Sequence, residues 1–544
     1  MNAFTRLACA LSVLVFAISP IDWKPASVDA ASTLPPGFVD DVVFSGLTRP
    51  TAIRFSPDGR VFVAEKSGIV KVFDDLSDPT ATVFADLRTN VHNYWDRGLL
   101  GIALDPEFPT KPYVYVLYTF DGPIGGTEPT WGMAGVTSDG CPDPPGGTTV
   151  GCEVSGRVSR LEAIGNVMKV GSEKVLVHDW FQQFPSHSIG SLAFGPDGAL
   201  YATGGEGASW QFTDYGQVEN LGGDPPVPRG GLQTPPTAEG GSLRSQDLQT
   251  TADFTGLSGT IIRIDRSTGA PLPDNPLYSR SDSNARRIVA YGFRNPFRIA
   301  VRPGTRELWV GDVGWRTWEE INVVANPLAA PVRNYGWPCY EGNARQSAWN
   351  DIHLNLCEQL YAKTGAVTFP HYAYKEGGAV VPGETCPNTS ASTSGLAFYT
   401  GGSYPAKFNG ALFFADYSRK CVWVMLAGSN GVPDPARIEL FVQDAAAPVD
   451  LQTGPGGDLF YVDHLGGRIH RIRYGSNAPK VELIAAPTSG ALPLTVLFDG
   501  SASSDPDGTP LSFTWDLNET GRSATPPSQS PHTPTAWPAD ILPV

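Results

Sequence analysis

One pattern returns six times along this chain: an apolar residue, a turn rich in Pro, Asp and Gly, then a run in which apolar and polar positions alternate. The copies begin at Phe55, Leu104, Phe194, Val301, Phe408 and Gly454. A tight turn followed by β-branched and aromatic residues in period two is a hairpin signal. Six copies predict six blades of a β-propeller over 38–474, with an array of β-sandwiches as the competing architecture. The spacing is uneven, so long insertions fall between blades. Residues 121–156 (Gly, Pro and Thr) and 207–252 (polar) stand out by composition, and loops of this length are lids or binding loops. No long run carries the 3.6-residue apolar period of an amphipathic helix. The expected class is all-β.

The pattern stops near Tyr474. Beyond it, 486–500 leads through Ser503, Ser504, Asp505, Pro506, Asp507 and Gly508 to a second alternating stretch at 511–516. This resembles the start of a PKD domain, a small immunoglobulin-like β-sandwich, of which 479–519 is only a part. Residues 520–544 turn to Pro, Ser and Thr and read as a flexible tail.

Composition narrows the partners. The net charge of −16 disfavours nucleic acid and anionic membranes, and it is unchanged without residues 1–30, where Arg6 and Lys24 balance Asp22 and Asp29. Those thirty residues read as a signal peptide: Arg6, an apolar stretch from Leu7 to Ile18, and a small-residue site at Val28, Asp29 and Ala30. The stretch is too short to span a bilayer, and no later segment is long enough, so a secreted or periplasmic protein is expected. Cys9 leaves with the signal. The remaining Cys141, Cys152, Cys339, Cys357, Cys386 and Cys421 are an even set, as disulfides require. Nearness in sequence favours Cys141–Cys152 and Cys339–Cys357, leaving Cys386–Cys421. No Cys-x-x-Cys argues against a zinc site.

Five segments carry candidate chemistry. His187 stands just ahead of a strand–turn–strand unit, where a neutral imidazole serves as a base near pH 7. Asp96 and Arg97 precede the glycine turn at Gly98, and Arg97 is a candidate cofactor contact. Arg294 and Asn295 are held ahead of Pro296, and a guanidinium there suits developing negative charge. Asp312, Glu319 and Glu320 bracket a glycine turn, where carboxylates and turn carbonyls together suit calcium. The last segment is 334–338. No complete Gly-x-Ser-x-Gly elbow or His-Glu-x-x-His helix points to a hydrolase.

In this order the segments resemble the soluble glucose/sorbosone (aldose sugar) dehydrogenase family, quinoproteins that hold pyrroloquinoline quinone (PQQ) over a six-bladed propeller. The resemblance spans roughly 38–474. It implies His187 as the base that takes the sugar hydroxyl proton while hydride passes to PQQ, with Arg294 and Asn295 contacting the quinone. It also implies a calcium turn made by Glu319, Glu320, the carbonyls near Gly314 and Trp315, and Tyr335. The chain departs from the family in three places. Glu206 stands for an aspartate, Arg419 or Lys420 for a cofactor lysine, and Ala447 and Val449 for a pair of arginines. PQQ carries three carboxylates, so that last change implies looser binding. A sugar substrate follows from the resemblance; the electron acceptor and oligomeric state do not. The alternative is a non-catalytic secreted propeller that binds carbohydrate or protein.

Overall fold

The computed structural model describes residues 32–141, 149–219, 233–250, 254–475, 480–491, 494–504 and 511. Among them, six antiparallel sheets follow one another as blades. Blade 1 comprises Pro50–Phe55, Val61–Glu65, Ile69–Phe73 and Thr82–Asp86, and blade 2 Leu99–Leu104, Tyr113–Phe120, Val154–Ile164 and Lys174–Gln182. Blade 3 has Ile189–Phe194, Leu200–Gly204, Thr260–Ile264 and Ile288–Tyr291; blade 4 has Pro296–Val301, Leu308–Asp312, Trp318–Val324 and Tyr372–Lys375. Blade 5 contains Thr393–Phe398, Leu412–Asp416, Cys421–Ala427 and Pro433–Gln443. Each recurring turn of the sequence joins the first two strands of a blade.

Blade 6 takes Pro448–Thr453, Leu459–Asp463 and Arg468–Tyr474 from the end of the repeat region and Phe38–Phe44 from before blade 1. The first strands of successive blades pack side by side, and that of blade 6 meets that of blade 1. The shared sheet fastens the two ends of the repeat region to each other, and radial repetition leaves each blade only short edges, which limits a standing liability of sheet proteins. Phe38 secures the joint. Its ring packs edge-on against Tyr404 at 4.8 Å and Phe441 at 5.0 Å, and burying a Phe contributes about 1.5–3 kcal/mol.

Arg298 ties the inner strands together. It is 2% exposed and donates to the carbonyls of Val449 (3.0 Å), Gly190 (3.3 Å) and Thr51 (2.6 Å), which belong to blades 6, 3 and 1. Asp450, 3.5 Å away, balances its charge. A buried arginine is tolerated because every side of it is bonded.

The cysteines pair as Cys141–Cys152, Cys339–Cys357 and Cys386–Cys421. Two short helices, Ser347–Asn350 and Asn355–Ala362, lie in the insertion crossed by the second bridge. They span too few residues for a 3.6-residue period to show in the sequence. Beyond the propeller, Ile484–Ala486 pairs with Leu497–Asp499. Among the described residues this pair is what stands where the sandwich is expected. The signal segment 1–30, most of 505–519 and the tail 520–544 lie outside the described residues. No helix of the described residues is long and apolar enough to cross a membrane.

Candidate active site

A cavity of about 1020 Å³ opens on the propeller axis. Every inner strand contributes to its floor: Thr51, Leu100, Ile189, Phe297, Thr393 with Ser394, and Val449. Its walls are insertion loops, and each disulfide anchors one of them. Thr137 and Ser138 precede Cys141, Trp337 precedes Cys339 beside the wall residue Trp315, and Glu376 and Ser390 flank Cys386.

His187 lines this cavity where blade 2 passes into blade 3. Its backbone is left-handed, φ 48°, which costs a non-glycine residue roughly 1–3 kcal/mol and persists only where the surroundings enforce it. Two bonds do so: Gly205 N–H donates to the Ser188 carbonyl at 2.6 Å, and Gly207 N–H to that of His187 at 3.0 Å. A Cβ at position 205 would lie 2.2 Å from the His187 carbonyl oxygen, so the loops meet only because this residue is glycine.

That contact delivers Glu206. Its Oε1 lies 2.8 Å from His187 Nδ1, with the two residues 0% and 5% exposed. The carboxylate accepts from Nδ1, which leaves Nε2 with the ring's lone pair. Trp337 Nε1 donates to the other Glu206 oxygen. Burial, then the Arg294 cation, pull the imidazole below its ordinary pKa against the opposite pull of Glu206. His187 is therefore neutral at pH 7.

Arg294 and Asn295 stand beside it, positioned through their backbones. Asp312 at the end of a blade 4 strand accepts from Arg294 N at 3.1 Å and Asn295 N at 2.6 Å. Burial raises Asp312 to about 7. The Arg294 side chain donates to the Val313 carbonyl at 3.1 Å and to that of Gly314, and its Nε is 3.9 Å from Glu206. Arg294 Nε and Asn295 Oδ1 are buried without a hydrogen-bond partner. Both residues line the cavity.

The expected calcium set does not converge. Glu319 and Glu320 are neighbours on one strand, so their side chains leave on opposite faces. Glu319 accepts from Gly314 N (3.2 Å) and Thr393 N (2.8 Å), while Glu320 accepts from Gly342 N (2.6 Å) and Asn322 Nδ2 (2.9 Å). Burial raises Glu319 well above the usual carboxylate range and Glu320 to about 8. The turn itself folds around Glu341, whose Oε1 accepts from the N–H groups of Trp315, Arg316, Thr317 and Trp318 at 2.9–3.2 Å. Gly314 and Trp315 line the cavity, but Gly314 already gives its carbonyl to Arg294. Tyr335 is a core residue, stacked on Phe293 at 4.5 Å with its hydroxyl on the Val323 carbonyl. Among the described residues no group of three His, Cys, Asp or Glu is disposed to hold a metal.

Three expected cofactor contacts also lie elsewhere. Arg97 is fully buried and bonded to the carbonyls of Cys152 (2.9 Å) and Gln183 (3.0 Å), so it fastens a loop. Arg419 is fully buried against Glu384 and the Gly378 carbonyl, and Lys420 is exposed. None of the three lines the cavity. Its cations are instead Arg49, Lys66 and Arg294. Arg49 and Lys66 sit at the ends of blade 1 strands, and no motif announces them.

A family profile described as Glucose / Sorbosone dehydrogenase matches residues 47–223 and 240–471, and the chain belongs to this family. The aldose sugar dehydrogenase YliI of Escherichia coli is 27% identical over 225 residues, 41% of this chain and 53% of the relative. Quinoprotein glucose dehydrogenase B of Acinetobacter calcoaceticus is 24% identical over 316 residues, 57% of this chain and 55% of the relative. The chain thus spans about half the length of these two curated relatives. The PQQ-bound aldose sugar dehydrogenase of Streptomyces coelicolor superposes with a TM-score of 0.53 at 20% identity, over 81% of this chain and 99% of that one. This last likeness is one of fold.

Proposed function

We propose that this chain is an exported oxidoreductase that oxidises the C1 hydroxyl of an aldose sugar, with PQQ as the hydride acceptor. The observation that carries this reading is the buried His187–Glu206 pair opening onto the axial cavity beside Arg294. The residues fit the cofactor. PQQ is flat and has three carboxylates, and the cavity offers three cations, with Arg294 Nε and Asn295 Oδ1 free of hydrogen bonds. When bound, PQQ supplies the acceptor for two electrons.

The protein's part is proton handling and electrostatics. A sugar hydroxyl placed against His187 Nε2 gives up its proton as the C1–H electron pair departs, and C1–O becomes a carbonyl. Glu206 then faces an imidazolium, whose charge it stabilises in a water-poor setting. Arg294 supplies positive charge where negative charge accumulates. Three disulfides support an oxidising compartment outside the cytoplasm. The alternative of a binding module gains nothing from a neutral base held in a strained backbone.

Apoprotein titrated with PQQ should develop a bound-quinone absorbance band that aldoses bleach. His187→Ala should lower turnover about a hundredfold or more with PQQ affinity nearly intact. Full sugar oxidation by His187→Ala would remove His187 from the mechanism, and no PQQ binding by the wild type would leave the binding-module reading.

A further inference from the structure

The blade 1 wall of the cavity carries two cations with no carboxylate bonded to them. Arg49 precedes one strand of the blade and Lys66 follows the next, and Lys66 N–H donates to the Arg49 carbonyl at 3.0 Å. Both side chains line the cavity. Lys66 Nζ is bonded only to the neutral amide oxygen of Asn93, at 2.5 Å. Among the described residues the Arg49 guanidinium has no hydrogen bond or ion pair, although its backbone is held left-handed at φ 50°. Gly98 makes room for this arrangement: a Cβ there would lie 2.6 Å from the Lys66 carbonyl and 2.7 Å from its Cγ.

Several other arginines of the chain, all less exposed than Arg49, do meet carboxylates. Arg54 meets Asp450 at 2.7 Å, Arg263 meets Asp197 at 2.7 Å, and Arg419 meets Glu384. Arg49 is exposed and Lys66 partly buried at the cavity wall; the two like charges repel each other, and an anion held between them removes that repulsion. The neighbouring groups do not fill that role. Asp96 and Asp139 attract Lys66 from a distance, Arg49 repels it, and His92 and His464 feel its charge. His464 gives Nδ1–H to the Pro50 carbonyl at 3.0 Å and is held neutral, its pKa pushed down to about 4, first by burial. Val449 on the adjoining blade 6 strand is apolar.

We infer that Arg49 and Lys66 form a carboxylate-binding subsite of the axial cavity. Two ligands present that chemistry: a carboxylate of the quinone cofactor, which rests on the proposed function, or the carboxylate of an acidic sugar such as a uronic acid. Burial, with Arg49 adding to it, brings Lys66 down to about 8. A carboxylate bound there holds its proton on, so affinity is full below pH 8 and weakens as pH rises through it.

The test uses the full chain, Arg49→Gln, Lys66→Gln and the double variant. PQQ affinity is read from quinone absorbance, and KM is compared for D-glucuronate and D-glucose. Tenfold or greater loss of PQQ affinity in the double variant, with wild-type melting temperature or higher, assigns the subsite to the cofactor. Unchanged PQQ affinity with a tenfold rise in KM for glucuronate alone assigns it to an acidic sugar. Lys66→Arg should keep the affinity above pH 8 that the wild type loses, a rescue no structural role predicts. Should the wild type bind no PQQ, the quinone reading falls by itself. Calorimetric titration of glucuronate into the apoprotein then decides the pair: binding lost in the double variant supports it, and no binding by the wild type overturns it. PQQ and glucuronate constants within twofold of wild type in the double variant also overturn it.

Discussion

Glu206, on a loop, and Glu341, at the end of a two-residue strand, are both buried carboxylates near the same cavity, yet they do different work. Glu206 accepts from two side chains, the His187 imidazole and the Trp337 indole. The imidazole has a second nitrogen, so what the acid does at one end of the ring is felt at the other, in the cavity. Glu341 accepts from four consecutive backbone N–H groups, and these end in the turn they fold. The donor decides the role. A carboxylate that holds a ring with a free end tunes chemistry; one that holds backbone builds a wall.

The contrast breaks most readily at Glu206. Glu206→Gln should reduce turnover about ten- to a hundredfold, as expected when a base loses its orienting partner. Because the carboxylate raises the imidazole's pKa, the variant's acid limb should also move to lower pH. A drop in rate with an unmoved pH profile would make Glu206 a packing residue and erase the distinction from Glu341.

Glu341→Ala is the complement. It leaves four backbone donors without an acceptor, a loss of at least about 2–4 kcal/mol, seen as a lower melting temperature before any change in pH profile. A shifted pH profile with unchanged stability would reverse the two roles.

Glu319→Ala with Glu320→Ala sharpens the fate of the expected calcium turn. The double variant should be less stable than the wild type by the same amount with calcium as without it. Stabilisation by calcium that disappears in the double variant would restore the chelating reading.

The smallest effect concerns Glu320 alone. Its folded pKa, about 8, lies above the ordinary carboxylate value. The folded state therefore keeps a proton that the unfolded chain has released, and stability falls as pH rises toward 8. His92, His178, His187 and His464 have lowered pKa values and contribute the opposite slope only below about pH 6.5. Between pH 6.5 and 8 the wild type should lose about 1–2 kcal/mol that Glu320→Gln does not lose. Parallel melting curves for the two proteins over that interval would contradict the assignment.

Blade number was legible in the chain because every blade repeats one local signal, the turn between its first two strands, and a turn depends on a few adjacent residues. The disulfide partners were legible for the same reason: loops of 11 and 18 residues close locally and leave one pair. His187, Arg294 and Asn295 could be singled out because each sits at the start of an inner strand, where a propeller gathers side chains on its axis. Glu206 could be noticed only as a departure from a pattern, since its partner lies across a loop contact that depends on Gly205.

Direction was what the sequence did not hold. Glu319 and Glu320 are adjacent in the chain but face opposite ways, Arg97 and Arg419 point into the walls, and Tyr335 faces the core. Conversely, Arg49 and Lys66 carry no motif, yet closing the ring brings blade 1 beside blade 6 and turns both toward the axis. Whether a charged side chain meets solvent, backbone or ligand depends on contacts between residues up to hundreds of positions apart. Only the closed propeller creates those contacts.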